Sequence, residues 1–196
     1  MDYKIFLLLV VLGYSAIGQE PKIEWDPDYQ ITINDFRASQ TKIDKSVTSV
    51  YVQSGINIEF AVQMNNFVFM LTKNFNSKLA CTFQKEAATL MAPDSVKANQ
   101  LIKLVQFDFD LSELYTRKIR KELFENKKTF SDVTFFQPYF DKMIAERNTA
   151  SAKIYSATDF GNNGALLKKE HDAVKKEILL LSDYCKECKP PKKERK

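Results

Sequence analysis

LIKLVQFDFDLSELYTRKIRKEL, residues 101–123, is the stretch on which the fold turns. Leu101, Leu104, Val105, Leu111, Tyr115 and Ile119 recur at helical spacing and make one apolar stripe. Pro93-Asp94-Ser95 just upstream is a helix-start signal, in which Asp94 or Ser95 caps the free amides of the first turn. The spacing therefore predicts a long helix from that signal to about residue 126. Glu113 and Arg117 stand four apart in the favourable order. Asp108 shares the stripe with Leu104, Val105, Leu111 and Tyr115. A buried, unpaired carboxylate is costly, so Asp108 needs either a partner or an open cleft.

Downstream, a second helix is predicted over 137–158, with Tyr139, Met143, Ile144 and Ile154 as its apolar residues. FGNNG, residues 160–164, breaks it. A third helix follows over 165–184 on Leu166, Val174, Ile178 and Leu181. Upstream, β-branched and aromatic residues dominate. YQITINDF (29–36) reads as a short strand. SVTSVYVQ (46–53), INIEFAVQ (56–63) and NNFVFMLTKNF (65–75) read as three more, separated by Ser54-Gly55 and Asn65-Asn66. Ile56, Ile58, Phe60 and Val62 share one face. Strands first and helices afterwards make an α+β chain: an antiparallel or mixed sheet with three helices packed on it.

The chain opens with Lys4, an apolar run from Ile5 to Leu12, and Ala16-Ile17-Gly18. This is the pattern of a secretory signal peptide, residues 1–18. Residues 19–28 read as an irregular leader, 29–188 as one domain and 189–196 as a basic tail. The run is too short to span a bilayer and no later segment is longer, so no transmembrane anchor is expected. Export places the product in the periplasm or outside the cell. The formal net charge is +4 over 196 residues, and KPPKKERK at the C-terminus accounts for all of it. The neutral body is not a nucleic-acid binder, and the solvated tail allows only a weak contact with an anionic surface. The three cysteines are Cys81, Cys185 and Cys188. A C-x-x-C without a second pair is no zinc ribbon. A local bridge and a bridge to Cys81 both remain open.

Around the long helix the pattern resembles a bacterial family of unknown function, described as secreted zinc-dependent proteases with a zincin-like fold. The family signature is close to L-L-x-H-E-Q-G-H-F-D-I-x-E-x-Y-A-R-x-L-R. Gln106, Phe109, Asp110, Glu113, Tyr115, Arg117 and Arg120 match it in register. Asp35 and Phe36 match a W-x-D-F-x-G strand end, and Ser54, Gly55 and Ile56 match an A-x-T-x-S-G-I segment. The resemblance spans most of the chain after the signal peptide and implies a zincin-like α+β domain.

It also implies where a zinc site would lie, and there the chain departs from the pattern. A helical zinc site sets two histidines one turn apart with a glutamate base between them. Leu104 and Asp108 stand at the ligand positions, Val105 at the base position and Phe160 at the position of a third ligand. Only Asp108 has an atom to offer, and a catalytic zinc needs about three protein ligands. The single histidine, His171, falls in a polar part of the last helix and reads as a surface residue. No metal and no cofactor are expected. Asp110, Glu113, Tyr115 and Arg117 either hold the helix to the sheet through charge-assisted hydrogen bonds or are solvated pairs.

The expectation is a non-catalytic relative, a pseudoenzyme. In it Asp108 floors the former cleft near Leu104 and Phe160, with Val105 and Phe107 or Phe109 lining it. Such a groove would take a peptide or an envelope protein. The alternatives are an active secreted hydrolase with an unrecognised metal site and a purely structural envelope protein.

Overall fold

The computed structural model describes residues 21–60, 65–128, 131–132 and 134–191. The expected signal peptide, residues 61–63 of the INIEFAVQ strand and residues 192–196 of the tail lie outside the described residues. None of the described helices is long and apolar enough to cross a membrane.

The architecture is α+β, with two three-stranded sheets where one was expected. In the first sheet β5 (Leu79–Gln84) is central, with β1 (Lys22–Glu24) and β4 (Ile56–Phe60) antiparallel on either side. In the second, β6 (Thr89–Ala92) is central, with β2 (Lys42–Ile43) parallel and β3 (Tyr51–Gln53) antiparallel to it. The two sheets are halves of one long ladder. Residues 51–60 run antiparallel to 79–92 throughout, from Tyr51 opposite Met91 to Phe60 opposite Leu79. A 3-10 turn, Lys85–Ala87, interrupts it opposite Ser54-Gly55. There the Gln84 amide donates to the Gly55 carbonyl at 2.7 Å. A Cβ at Gly55 would sit 2.1 Å from the Gln84 carbonyl oxygen, so only glycine permits this approach.

Several expected strands are corrected. Residues 29–36 form a 3-10 turn at Ile33–Asp35, not a strand. The 46–53 strand shrinks to Tyr51–Gln53. NNFVFMLTKNF holds a helix, α1 (Asn66–Leu71), because the Asn65 side chain accepts from the Val68 amide and caps it. Phe69 of α1 is fully buried and packs on Phe75. The leader is no irregular appendage: β1 pairs with β5, and Ile23 and Trp25 pack against the core.

The long helix is α2 (Ser95–Asn126), and the Asp94 carboxylate caps it by accepting from the Lys97 amide at 2.8 Å. Every residue from Leu104 to Arg117 is buried. A single stripe cannot account for this. The helix is sandwiched between the ladder on one side and α3 (Gln137–Ala157) and α4 (Gly164–Leu180) on the other. Leu101, Val105 and Phe109 pack with Phe83, Leu90 and Phe36 in a core under the ladder. Leu104, Phe107, Leu111 and Leu114 join Met143 and Ile154 of α3 and Leu167, Val174 and Ile178 of α4 in a second core. Each fully buried aliphatic or aromatic side chain contributes about 1.5–3 kcal/mol relative to exposure.

Candidate functional site

A helix buried all round has no water to solvate its charges, so its polar side chains must find partners inside the protein. On α2 they do so one after another, some with partners on other elements and Glu113 with Arg117 and Arg120 of the helix itself. Gln106 Oε1 accepts from the Ile31 amide at 2.8 Å and holds the N-terminal segment.

Asp108 is 3% exposed at its side chain and faces Arg147 of α3, whose Nη2 lies 2.6 Å from Oδ2. This is an ion pair without an aligned hydrogen bond, since that nitrogen meets no acceptor in hydrogen-bond geometry. Ser54, in the turn between β3 and β4, donates to the same oxygen at 3.2 Å. Oδ1 is buried without a hydrogen-bond partner among the described residues. Arg147 is oriented by Ser112, whose hydroxyl oxygen accepts from its Nε at 3.0 Å. Burial raises the Tyr155 phenol far above its ordinary range, and the Asp108 charge adds to the effect.

Asp110 sits one half-turn on. Trp25 Nε1 donates to its Oδ1 at 2.8 Å, and Nε2 of His171 lies 2.6 Å from its Oδ2. His171 is therefore not the surface histidine expected. Its side chain is only 17% exposed, and its ring meets the edge of Phe107. The signal was present in the sequence: Leu167, His171, Val174 and Ile178 share one face of α4.

Glu113 receives two guanidinium groups on one oxygen, Arg117 at 2.8 Å and Arg120 at 3.1 Å. Arg117 also donates to the Ile178 carbonyl near the C-terminal end of α4, where a cation suits the helix dipole. Its guanidinium stacks over Trp25 at 5.3 Å. Arg120 reaches the carbonyls of Tyr184 and Leu79, so it ties the C-terminal turn to β5. Asp110, Glu113 and Arg117 make buried charge-assisted bonds, but to Trp25, to α4 and to one another rather than to the sheet. Tyr115 instead packs in the core with Lys118 over its ring at 4.7 Å.

Asp35 forms a comparable station on the N-terminal segment. Its carboxylate accepts from the Tyr29 hydroxyl and the Thr32 amide, each at 2.8 Å, with the Lys85 ammonium at 3.2 Å. Burial works to raise the Asp35 pKa, but these donors outweigh it and hold the carboxyl below its ordinary value. The Tyr29 phenol is pushed up to about 12 by burial and by Asp35. A depressed carboxyl adds stability that is fully present above its unfolded pKa, about 3.9, and lost as pH falls through the lower folded value. Urea midpoints of wild type and Asp35→Asn are therefore expected to differ at neutral pH and to converge below about pH 4. A gap that stays constant down to pH 2 would contradict this.

The expected groove is corrected. Leu104 and Val105 are 0% exposed and belong to two different cores, because successive residues of a helix point about 100° apart. Phe107 and Phe109 are equally enclosed. Phe160 alone is exposed, at 52%, on a backbone with φ 49°. It lines a shallow groove on α3 with Arg147, Ser151 and Tyr155, and its ring meets that of Tyr155 at 6.2 Å. Asp108 does not floor an open cleft. Oδ2 is closed off by Arg147 and Ser54, and Oδ1 is buried.

The cysteines resolve as a local bridge between Cys185 and Cys188. Cys81, also a disulfide candidate, is a buried free thiol whose Sγ faces the Phe109 carbonyl, and burial raises its pKa strongly. Among the described residues no three His, Cys, Asp or Glu side chains gather to hold a metal ion. No family model, no curated protein and no solved structure matches the chain.

Proposed function

We propose that this chain is an exported, non-catalytic relative of the zinc-dependent protease family it resembles, with a zincin-like domain and a binding or structural role in the cell envelope. The observation that carries the reading is the Asp108–Arg147 pair. Asp108 is the one ligand position with a coordinating atom, and a guanidinium stands 2.6 Å from that atom where a metal ion would need to be. Its would-be partners Leu104 and Val105 offer hydrocarbon to two separate cores. The other motif residues, Gln106, Asp110, Glu113, Arg117 and Arg120, have become the ties that hold α2 to its neighbours.

Metal analysis of the purified chain after zinc loading and desalting tests this, together with cleavage of an unfolded protein substrate. The expected result is zinc well below one per chain, unchanged by Asp108→Ala, and no cleavage. Stoichiometric zinc that disappears in Asp108→Ala would overturn the proposal in favour of a metal-dependent hydrolase.

A further inference from the structure

The six residues of α1, NFVFML, are almost wholly apolar, yet only Phe69 is buried. Phe67, Val68 and Leu71 are 67%, 44% and 64% exposed. At about 100° per residue these three fall on one side of the helix, opposite Phe69. Single exposed apolar side chains need no explanation, but three together on so short a helix mark a contact surface. We propose that α1 is the docking face of this chain on a membrane of anionic phospholipid, with the basic C-terminal tail rooted beside it. This gives a site to the envelope role proposed above and is independent of the reading of the motif helix.

The first support is the place where the tail begins. The side-chain amides of Asn74 and Asn76 donate to the Cys188 carbonyl at 3.2 and 3.0 Å. KPPKKERK, residues 189–196, therefore starts against residues 74–76. Only three residues of chain lead from Leu71 to Asn74, a span of at most about 11 Å. Eight residues reach at most about 29 Å from that root, so the charges of the tail come within range of a surface that α1 touches.

Charge is the second support. Between Glu59 and Glu86 the chain has no acidic residue. Lys73 and Lys78 in that interval are exposed and make no ion pair among the described residues. Lys127, at the end of α2, donates to the Met70 carbonyl at 3.0 Å and brings the exposed Lys128 to the same end of α1. The segments that meet here, 60–84, 125–132 and 183–196, hold ten basic and five acidic residues, against nineteen and twenty in the rest of the chain. Setting Lys186 against its partner Glu24 leaves this balance cationic. The positive excess of the protein belongs to the segments around α1.

Lipid fits this combination better than a second copy of the chain. Apolar side chains set among headgroups and a basic patch near an anionic leaflet are two weak signals that together make a reversible anchor. Three apolar side chains are too few for a stable protein interface, which takes about 20–30 residues a side. A second copy seated on this face would also set its own lysines against these.

The full chain as recovered after export, with its disulfide formed, is floated with two kinds of vesicle. One is phosphatidylcholine alone, and the other contains about one-third phosphatidylglycerol. The expected result is binding to the anionic vesicles at about 1 mM lipid or less, weakened by added salt, and at least tenfold weaker binding to the neutral ones. Phe67→Ser combined with Leu71→Ser is expected to weaken the anionic binding at least tenfold with an unchanged urea midpoint, since both side chains are exposed. Should that pair not fold, Lys73→Glu combined with Lys78→Glu, expected to have an effect of the same size, decides. Equal binding to neutral vesicles, anionic binding that a folded variant pair leaves intact, or no binding would each overturn the proposal. So would self-association without lipid that Phe67→Ser with Leu71→Ser abolishes, which would assign the face to a second copy. Vesicle binding by a chain that also holds stoichiometric zinc would overturn the motif reading and support this one.

Discussion

Arg120→Met is expected to cost about 3–5 kcal/mol of folding stability. Arg120 is among the largest fully buried side chains, and it serves three elements at once. Its Nη1 donates to Glu113 at 3.1 Å and to the Tyr184 carbonyl at 2.9 Å, and its Nη2 donates to the Leu79 carbonyl at 2.7 Å. Methionine fills much of the volume but supplies no donor. Glu113 keeps Arg117, so its charge is not abandoned. The two carbonyls lose their guanidinium donors, and each buried polar group left unsatisfied costs about 1–3 kcal/mol. Burial lowers the Arg120 pKa, partly offset by the Glu113 carboxylate, which is the sign of a cation held in a poorly solvated place by its partners. Urea unfolding should show a lower midpoint with an unchanged slope. Arg120→Lys is expected to recover only part of the loss, because a single ammonium cannot span the three acceptors of a planar fork. A loss below about 1 kcal/mol for Arg120→Met would mean that these bonds are not what joins β5 to the C-terminal turn.

Much of the helical layer was legible in the residues. The start of α2 followed from Asp94, and the break between α3 and α4 from FGNNG, because caps and breakers act locally. The ladder was half legible: β3 and β4 fall within the strands expected at 46–53 and 56–63, while the strands opposite them do not declare themselves. Its central strands, LACTFQ and TLMA, are short and nearly continuous in apolar character, and a short apolar run does not declare its period. Residues 66–71 went the other way: a strand-like composition was overridden by the Asn65 cap and by the docking of Phe69. The polar stations were half legible. Asp108 was marked as needing a partner, but nothing near it in sequence names Arg147, 39 positions later on another helix. His171 was misplaced because its lysine-rich neighbours drew attention from the apolar face that it shares with Leu167 and Val174. A helix surrounded on all sides loses the amphipathic contrast on which such readings depend.

Asp108 and Arg147 are expected to behave as a unit, and the pair separates a structural role from a vestigial one. Asp108→Leu alone leaves the Arg147 guanidinium, 16% exposed, beside an apolar side chain. Arg147→Met alone leaves a 97% buried carboxylate with only the Ser54 hydroxyl, at 3.2 Å, to stabilise its charge. Each single change is expected to cost about 3–5 kcal/mol, since breaking a buried pair from one side leaves an uncompensated charge. The double variant removes both charges and is expected to return to within about 1–2 kcal/mol of the wild type, because well-packed hydrocarbon often replaces a buried ion pair without loss. Urea unfolding of all four proteins measures the coupling directly. Additive losses would mean that the two residues do not stabilise one another. The asymmetry between the single variants carries further information. Asp108 is the more deeply enclosed of the two, and its Oδ1 already lacks a partner. Arg147→Met should therefore be the worse change. The cation that meets Asp108 is a guanidinium supplied by α3, which fixes that helix against α2 and makes Asp108 part of the packing of the domain.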